Sequence, residues 1–67
     1  MTNIGLLKEK IDNSGLKVNK ITEKLGISKT AYHNKMNGKV EFKSGEIKTL
    51  KFMLQLTNEE VVNIFLS

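Results

Sequence analysis

Lys29, Thr30, His33, Asn34 and Asn37 are the side chains whose types and spacing could do chemistry together. Thr30, His33 and Asn34 follow Lys29 by one, four and five positions, so on a helix they form one continuous polar strip with Asn37 at its end. That strip has the vocabulary of base readout. Lysine donates to guanine O6 and N7, asparagine pairs bidentately with adenine, and threonine offers a hydroxyl and a methyl. Other chemistries have less support. The chain has no cysteine and one histidine, so a zinc site would have to be built almost wholly from carboxylates. His33 has no cysteine or carboxylate nearby in sequence to make it a metal ligand or a general base, and it fits a solvated surface as readily as a contact. No Gly-rich phosphate loop, nucleophile elbow or carboxylate pair is present, so no enzyme, cofactor or small-molecule ligand is expected.

A strip of this kind needs a helix held out from the body, and the surrounding pattern predicts one. Ile4, Leu7 and Ile11 recur at helical spacing before Gly15, giving a first helix over about residues 3–14. Val18, Ile21, Thr22 and Leu25 form a one-faced stripe that ends at Gly26, a second, short helix. Ile27 lies in the turn, Gly26 tolerates the positive φ such a turn demands, and Ser28 can cap a third helix by accepting from the amide of residue 30 or 31. That third helix runs to about Asn37, before Gly38. Its inward positions are Tyr32 and Met36. Phe42 is expected to pack against the next helix. Ser44 is the expected cap of a fourth, with Ile47, Leu50 and Leu54 on one face and Phe52 and Met53 broadening it, while Lys48 and Lys51 form its wet side. Thr57 with Glu60 is a capping-box pattern before Val61, Ile64 and Phe65, a fifth helix. No segment alternates long enough for a strand. The expected fold is all-α, a compact bundle of about five short helices with a helix-turn-helix, in a single domain spanning residues 1–67.

Charge is spread unevenly along the chain. All eleven basic residues are lysines, set against seven acids. Residues 1–16 balance to zero, with Lys8 and Lys10 against Glu9 and Asp12. Residues 17–51 hold nine lysines against Glu23, Glu41 and Glu46, an excess of six, and the remainder carries only Glu59 and Glu60. A basic middle favours a polyanion such as nucleic acid, or an anionic surface. No apolar run is long enough for a signal peptide or a membrane span, so the chain reads as cytoplasmic and soluble.

The segment K-V-N-K-I-T-E-K-L-G-I-S-K-T-A-Y-H-N-K-M-N-G resembles the helix-turn-helix of the lambda-type repressor and Cro family. It is especially similar to short phage and mobile-element regulators sharing G-I-S-K-x-x-x-x-N-K-M-N-G-K-x-E-F. The resemblance covers roughly residues 4–66, with its specific part in 17–42. It implies five helices, the third entering the major groove, and a symmetric dimer on a near-palindromic operator. Carried over by position, Lys29, Thr30 and Asn34 match base-contacting positions, and His33 a neighbouring one that touches bases or phosphates. Asn37, Lys39 and Lys43 fall in the segment that holds the DNA backbone. Two departures stand out. Where the family commonly has a phosphate-clamping glutamine, this chain has Val18, leaving that contact to Lys17, Asn19 or Lys20. A usually apolar position late in the third helix is Lys35, which leaves the packing there to Met36.

The leading expectation is a sequence-specific DNA-binding transcriptional regulator, a phage-type repressor, binding double-stranded DNA as a homodimer. Val62, Phe65 and Leu66, with Ile64, offer more apolar surface than one helix face can bury, so the pairing surface is expected there. The alternatives are a helical protein-interaction module such as an antirepressor, which would favour apolar anchors over a polar strip, and a non-specific architectural DNA binder that needs phosphate contacts alone.

Overall fold

The glycine stops read from the sequence lie where the chain turns. The computed structural model describes residues 1–66 and contains five helices: α1 (Ile4–Ser14), α2 (Val18–Leu25), α3 (Lys29–Met36), α4 (Ser44–Leu54) and α5 (Asn58–Phe65). The fold is all-α, with no strand among the described residues. Asn3 caps α1 by accepting from the Leu6 amide at 3.1 Å, and the Asn3 N–H donates to the Ile64 carbonyl at 2.5 Å. That backbone bond ties the start of the chain to α5.

Helices α2, α3 and α4 end in the same way. At α2 the Gly26 N–H reaches the Glu23 carbonyl and the Ile27 N–H reaches Thr22. At α3 the corresponding pairs are Gly38 with Lys35 and Lys39 with Asn34, and at α4 they are Gln55 with Phe52 and Leu56 with Lys51. This paired closure needs a left-handed residue after the helix, which is why Gly26 has φ 70° and Gly38 φ 79°. At α4 the left-handed residue is Gln55, φ 53°, the one non-glycine residue with positive φ among those described.

The core consists of Leu7, Ile11, Ile21, Tyr32, Phe42, Leu50, Leu56, Ile64 and Phe65. Helix α4 is central, packing on α1, α2 and α5, while α3 packs chiefly on α2. Phe42 is buried, and its ring meets Phe65 of α5 edge-on at 5.8 Å, so its aromatic partner is one helix further along than expected. Periodicity places Phe52 with the packed residues of α4, yet it is 85% exposed. Leu50 fixes the inward direction at 0% exposed, and a residue two positions on lies about 200° around the helix.

Lys35 is the main departure from the expected core. It is only 5% exposed, and it occupies the apolar position itself, while Met36 is only half-buried. Its methylene stem does the packing. Its ammonium donates to Glu46 Oε1 at 2.8 Å and to the Glu41 carbonyl at 3.4 Å, and lies 5.7 Å from the centre of the Phe42 ring. The same Glu46 oxygen accepts from the Lys43 N–H at 2.8 Å. Ser44, expected as the cap of α4, is therefore its first helical residue, and Glu46 satisfies the start of the helix from inside. At α5 the expected capping box is present: Thr57 Oγ1 accepts from the Glu60 N–H at 3.1 Å, and Glu60 Oε1 accepts from the Thr57 N–H at 2.8 Å. The other oxygen of Glu60 pairs with Lys10 of α1. Their mutual hydrogen bond and charge raise the pKa of Lys10 and lower that of Glu60.

Burial pushes the Glu46 carboxyl pKa up, but the hydrogen bonds from Lys35 and Lys43 and their charges more than reverse this, so it lies below the ordinary glutamate range. A depressed carboxyl pKa gives stability that is complete above the unfolded value and is lost as pH falls through the lower folded one. Glu46→Gln keeps an acceptor for Lys43 but leaves a buried ammonium without its counter-charge, and is expected to cost about 3 kcal/mol. Adding Lys35→Met is expected to restore most of that loss, and both variants, having no carboxyl at position 46, are expected to lack its share of acid sensitivity. Urea titrations between neutral and acidic pH measure both effects; a double variant as unstable as the single one would contradict the buried-pair account. At the other end of α4, Gln55→Gly relieves the left-handed strain and is expected to raise stability by up to about 1 kcal/mol, whereas Gln55→Val is expected to lower it. Thermal melts of the two variants give the sign.

Candidate nucleic-acid interface

Three attachments position α3. Ser28 Oγ accepts from the Ala31 N–H at 3.1 Å, so of the two expected cap partners it is residue 31 that is used. The closure at Gly38 holds the far end, and Lys35 anchors the inner side to Glu46. The helix buries little else, only Tyr32 fully, with Ala31, Asn34 and Met36 half-buried.

The inward direction of Lys35 sets where the polar strip points. At about 100° per residue, Thr30, His33 and Asn37 stand about 140–160° away from it around the axis, Lys29 about 120° and Asn34 about 100°. The exposures follow this order. Lys29, Thr30, His33 and Asn37 are exposed, and Asn34, nearest the flank, is half-buried. Among the described residues, the side chains of Lys29, Thr30, His33, Asn34 and Asn37 make no hydrogen bond to the rest of the molecule; the His33 ring lies edge-on to Tyr32 at 5.5 Å. Tyr32 keeps its phenol proton firmly, its pKa raised by burial and then by the charge of Asp12.

The phosphate candidates fall at the start of α2 and after the end of α3. Lys17, Asn19 and Lys20 open α2 and are all exposed, and Lys17 occupies the cap position without a side-chain cap, so no side chain takes the first amides of that helix. Lys39 and Lys43 are exposed beyond the end of α3, and the Lys39 and Val40 N–H groups fold back onto the Asn34 carbonyl at 3.0 and 3.4 Å. One cleft of about 520 Å³ brings Lys17, His33 and Asn37 together; Lys29, Thr30 and Asn34 do not line it. Lys8 and Asp12 of α1 line the same cleft. Charge counting cancels those two residues, but their four-residue spacing on one helical face was the available signal that they share a site.

Among the described residues no cluster of three or more His, Asp or Glu side chains could hold a metal ion, and no helix is long and apolar enough to cross a membrane. The expected pairing surface needs correction. Val62 is 50% and Leu66 69% exposed, but Phe65 is 5% exposed and Ile64 fully buried, so Phe65 belongs to the core and is not available to a second copy. Its ring is held by Phe42, an edge-on aromatic contact within one molecule.

Comparison with protein-family models, with curated proteins and with solved structures found no significant match to this chain.

Truncating Phe65 to alanine is expected to cost about 3–5 kcal/mol, a loss comparable to the whole net stability of so small a core. Val62→Asp and Leu66→Asp are expected to leave the melt nearly unchanged. Circular dichroism melts separate the two classes; a well-folded Phe65→Ala protein would remove Phe65 from the core.

Proposed function

We propose that this chain is a sequence-specific DNA-binding regulator of the phage repressor type, in which α2 and α3 act as a helix-turn-helix and α3 lies in the major groove. One observation carries the reading: α3 is anchored at both caps and by a buried ion pair, while the polar strip opposite that pair has no internal hydrogen-bond partner. A strip satisfied only by water is free to exchange water for base edges. In this reading Lys29, Thr30 and Asn34 select sequence, with His33 beside them, and Lys17, Asn19, Lys20, Asn37, Lys39 and Lys43 take phosphates.

Charge supports the same partner. In residues 17–51 the Lys35–Glu46 pair is neutral overall, which leaves eight lysines against Glu23 and Glu41, still an excess of six. Such a field gives an affinity that falls with salt. The uncapped start of α2, next to Lys17, suits a phosphate oxygen. A protein partner would be expected to meet aromatic or apolar anchors, and the strip has none.

Size argues for two copies on DNA. The molecule measures 28 Å along its longest axis, shorter than the roughly 34 Å between half-sites one helical turn apart. Two copies related by a two-fold axis would therefore read a near-palindrome. Val62 and Leu66 are the apolar side chains left for such a contact.

Selection of bound duplexes from a random pool is expected to return a palindromic consensus. On that consensus Asn34→Ala is expected to relax preference at one position by about 1–3 kcal/mol, while Lys39→Ala weakens every sequence alike and lowers the salt slope by about one. Electrophoretic shifts across a salt series measure both. Equal losses for Asn34→Ala on consensus and random DNA would remove it from base readout, and retention abolished by random competitor would leave only phosphate binding.

A further inference from the structure

The polar strip does not account for the most exposed aromatic residue in the protein. Phe52 lies at the rim of a second groove, about 580 Å³, lined by Lys48, Lys51, Phe52, Met53, Gln55 and Leu56. That volume falls within the roughly 300–1,000 Å³ of typical ligand sites. No residue of α3 lines it. Its floor is apolar and its rim is basic, with no acid in the lining. Among the described residues Lys48 makes no ion pair, and the Lys51 ammonium bonds only the neutral Asn58 Oδ1, at 2.5 Å, so both positive charges are uncompensated. The groove also includes Gln55, held in a left-handed conformation that glycine would adopt with less strain.

Charge decides which occupant fits. A second copy seated groove to groove about a two-fold axis would bring two basic rims into one interface, a like-charge arrangement that specific interfaces avoid. Duplex DNA would supply negative charge but no side chain to fill an apolar groove. We propose that this groove docks an acidic peptide segment of a partner protein. An apolar side chain of that segment enters between Phe52, Met53 and Leu56, while flanking Asp or Glu carboxylates meet Lys48 and Lys51. The Gln55 side chain at the rim carries an amide able to bond the peptide backbone. This surface is separate from α3 and does not depend on the DNA reading, so the chain would carry two recognition faces, one for DNA and one for protein.

The test is selection from a displayed library of random peptides on the immobilised full chain. Enriched peptides are expected to carry an aromatic or leucine anchor flanked by acids, to bind Phe52→Ala and Lys48→Glu/Lys51→Glu about tenfold or more weakly, and to bind Lys29→Ala as tightly as wild type. Phe52 and Lys48 are exposed and Lys51 is half-buried with a hydrogen bond to Asn58, so helical circular dichroism is checked alongside, and Phe52→Ala and Lys48→Glu alone serve where the double variant loses it. The proposal would be overturned by no enrichment, by enriched peptides without acids, by undiminished binding to Phe52→Ala, or by a lower sedimentation mass for Phe52→Ala than for wild type. Amide resonances of residues 48–56 that shift with duplex DNA instead of peptide would make the groove a nucleic-acid contact and also overturn it.

Discussion

One carboxylate oxygen ties α3 to α4. Glu46 Oε1 accepts from both the Lys35 ammonium and the Lys43 N–H, so a single atom holds the end of α3, the loop after it and the start of α4. Burying an ion pair is costly unless its remaining donors are satisfied. Here the Glu41 carbonyl and the Phe42 ring surround the ammonium, and no buried side-chain polar atom among the described residues lacks a partner. An apolar residue at position 35 could pack as well, but it would grip Glu46 by no directional bond. Together with Tyr32 in the core, the ion pair holds the inner side of the helix, and the residues opposite that side face outward.

A similar arrangement recurs at α5. The third residue of each of the last two helices, Glu46 in α4 and Glu60 in α5, accepts an N–H at its own helix start and also pairs with a lysine of another helix. Local capping and tertiary contact are thereby made by the same group. In a chain of 67 residues, whose core alone supplies little net stability, such double use fixes helix ends and relative positions together. The two pairs differ in setting. Lys35 and Glu46 are almost fully buried, while Lys10 and Glu60 are about one-third exposed and correspondingly more screened.

The helices and their stops were legible because they depend on local rules: Gly15, Gly26 and Gly38 for left-handed closure, Ser28 and Thr57 for caps, and the stripe of Ile21 and Leu25 for a buried face. What was not legible depends on tertiary partners. A lysine reads as surface, so nothing in the pattern around Lys35 announces an acid eleven residues later that turns inward to meet it. On α5 the apolar residues outnumber one face, and periodicity alone cannot say whether Phe65 or Val62 turns inward; the Phe42 ring, from a loop, decides it. Phe52 was misplaced for a similar reason, since apolar character was read as burial and Leu50 had already taken the inward direction. The strip on α3 is legible from spacing because its exposed members, Lys29, Thr30, His33 and Asn37, follow the helical period, and Asn34 is half-buried because it lies at the flank.

The helix starts carry a further argument. A helix N-terminus favours negative charge, and α4 and α5 follow that rule with Glu46, Glu59 and Glu60 in their first turns. Helices α1, α2 and α3 do not. None has an acid in its first turn, and two of them add a lysine at the start, Lys17 in the cap position of α2 and Lys29 as the first residue of α3; Lys43 takes the cap position of α4, but there Glu46 in the first turn answers it. Composition does not explain the difference, because the same short chain places acids in the first turns of α4 and α5. Nor does any internal partner, since neither Lys17 nor Lys29 makes an ion pair among the described residues. Local rules broken without an internal gain mark the parts of a protein shaped for something outside it. The start of α2, with Lys17 beside it and no side-chain cap, and the start of α3, with Lys29 beside the Ser28 cap, are each positive ends that an external anion would stabilise.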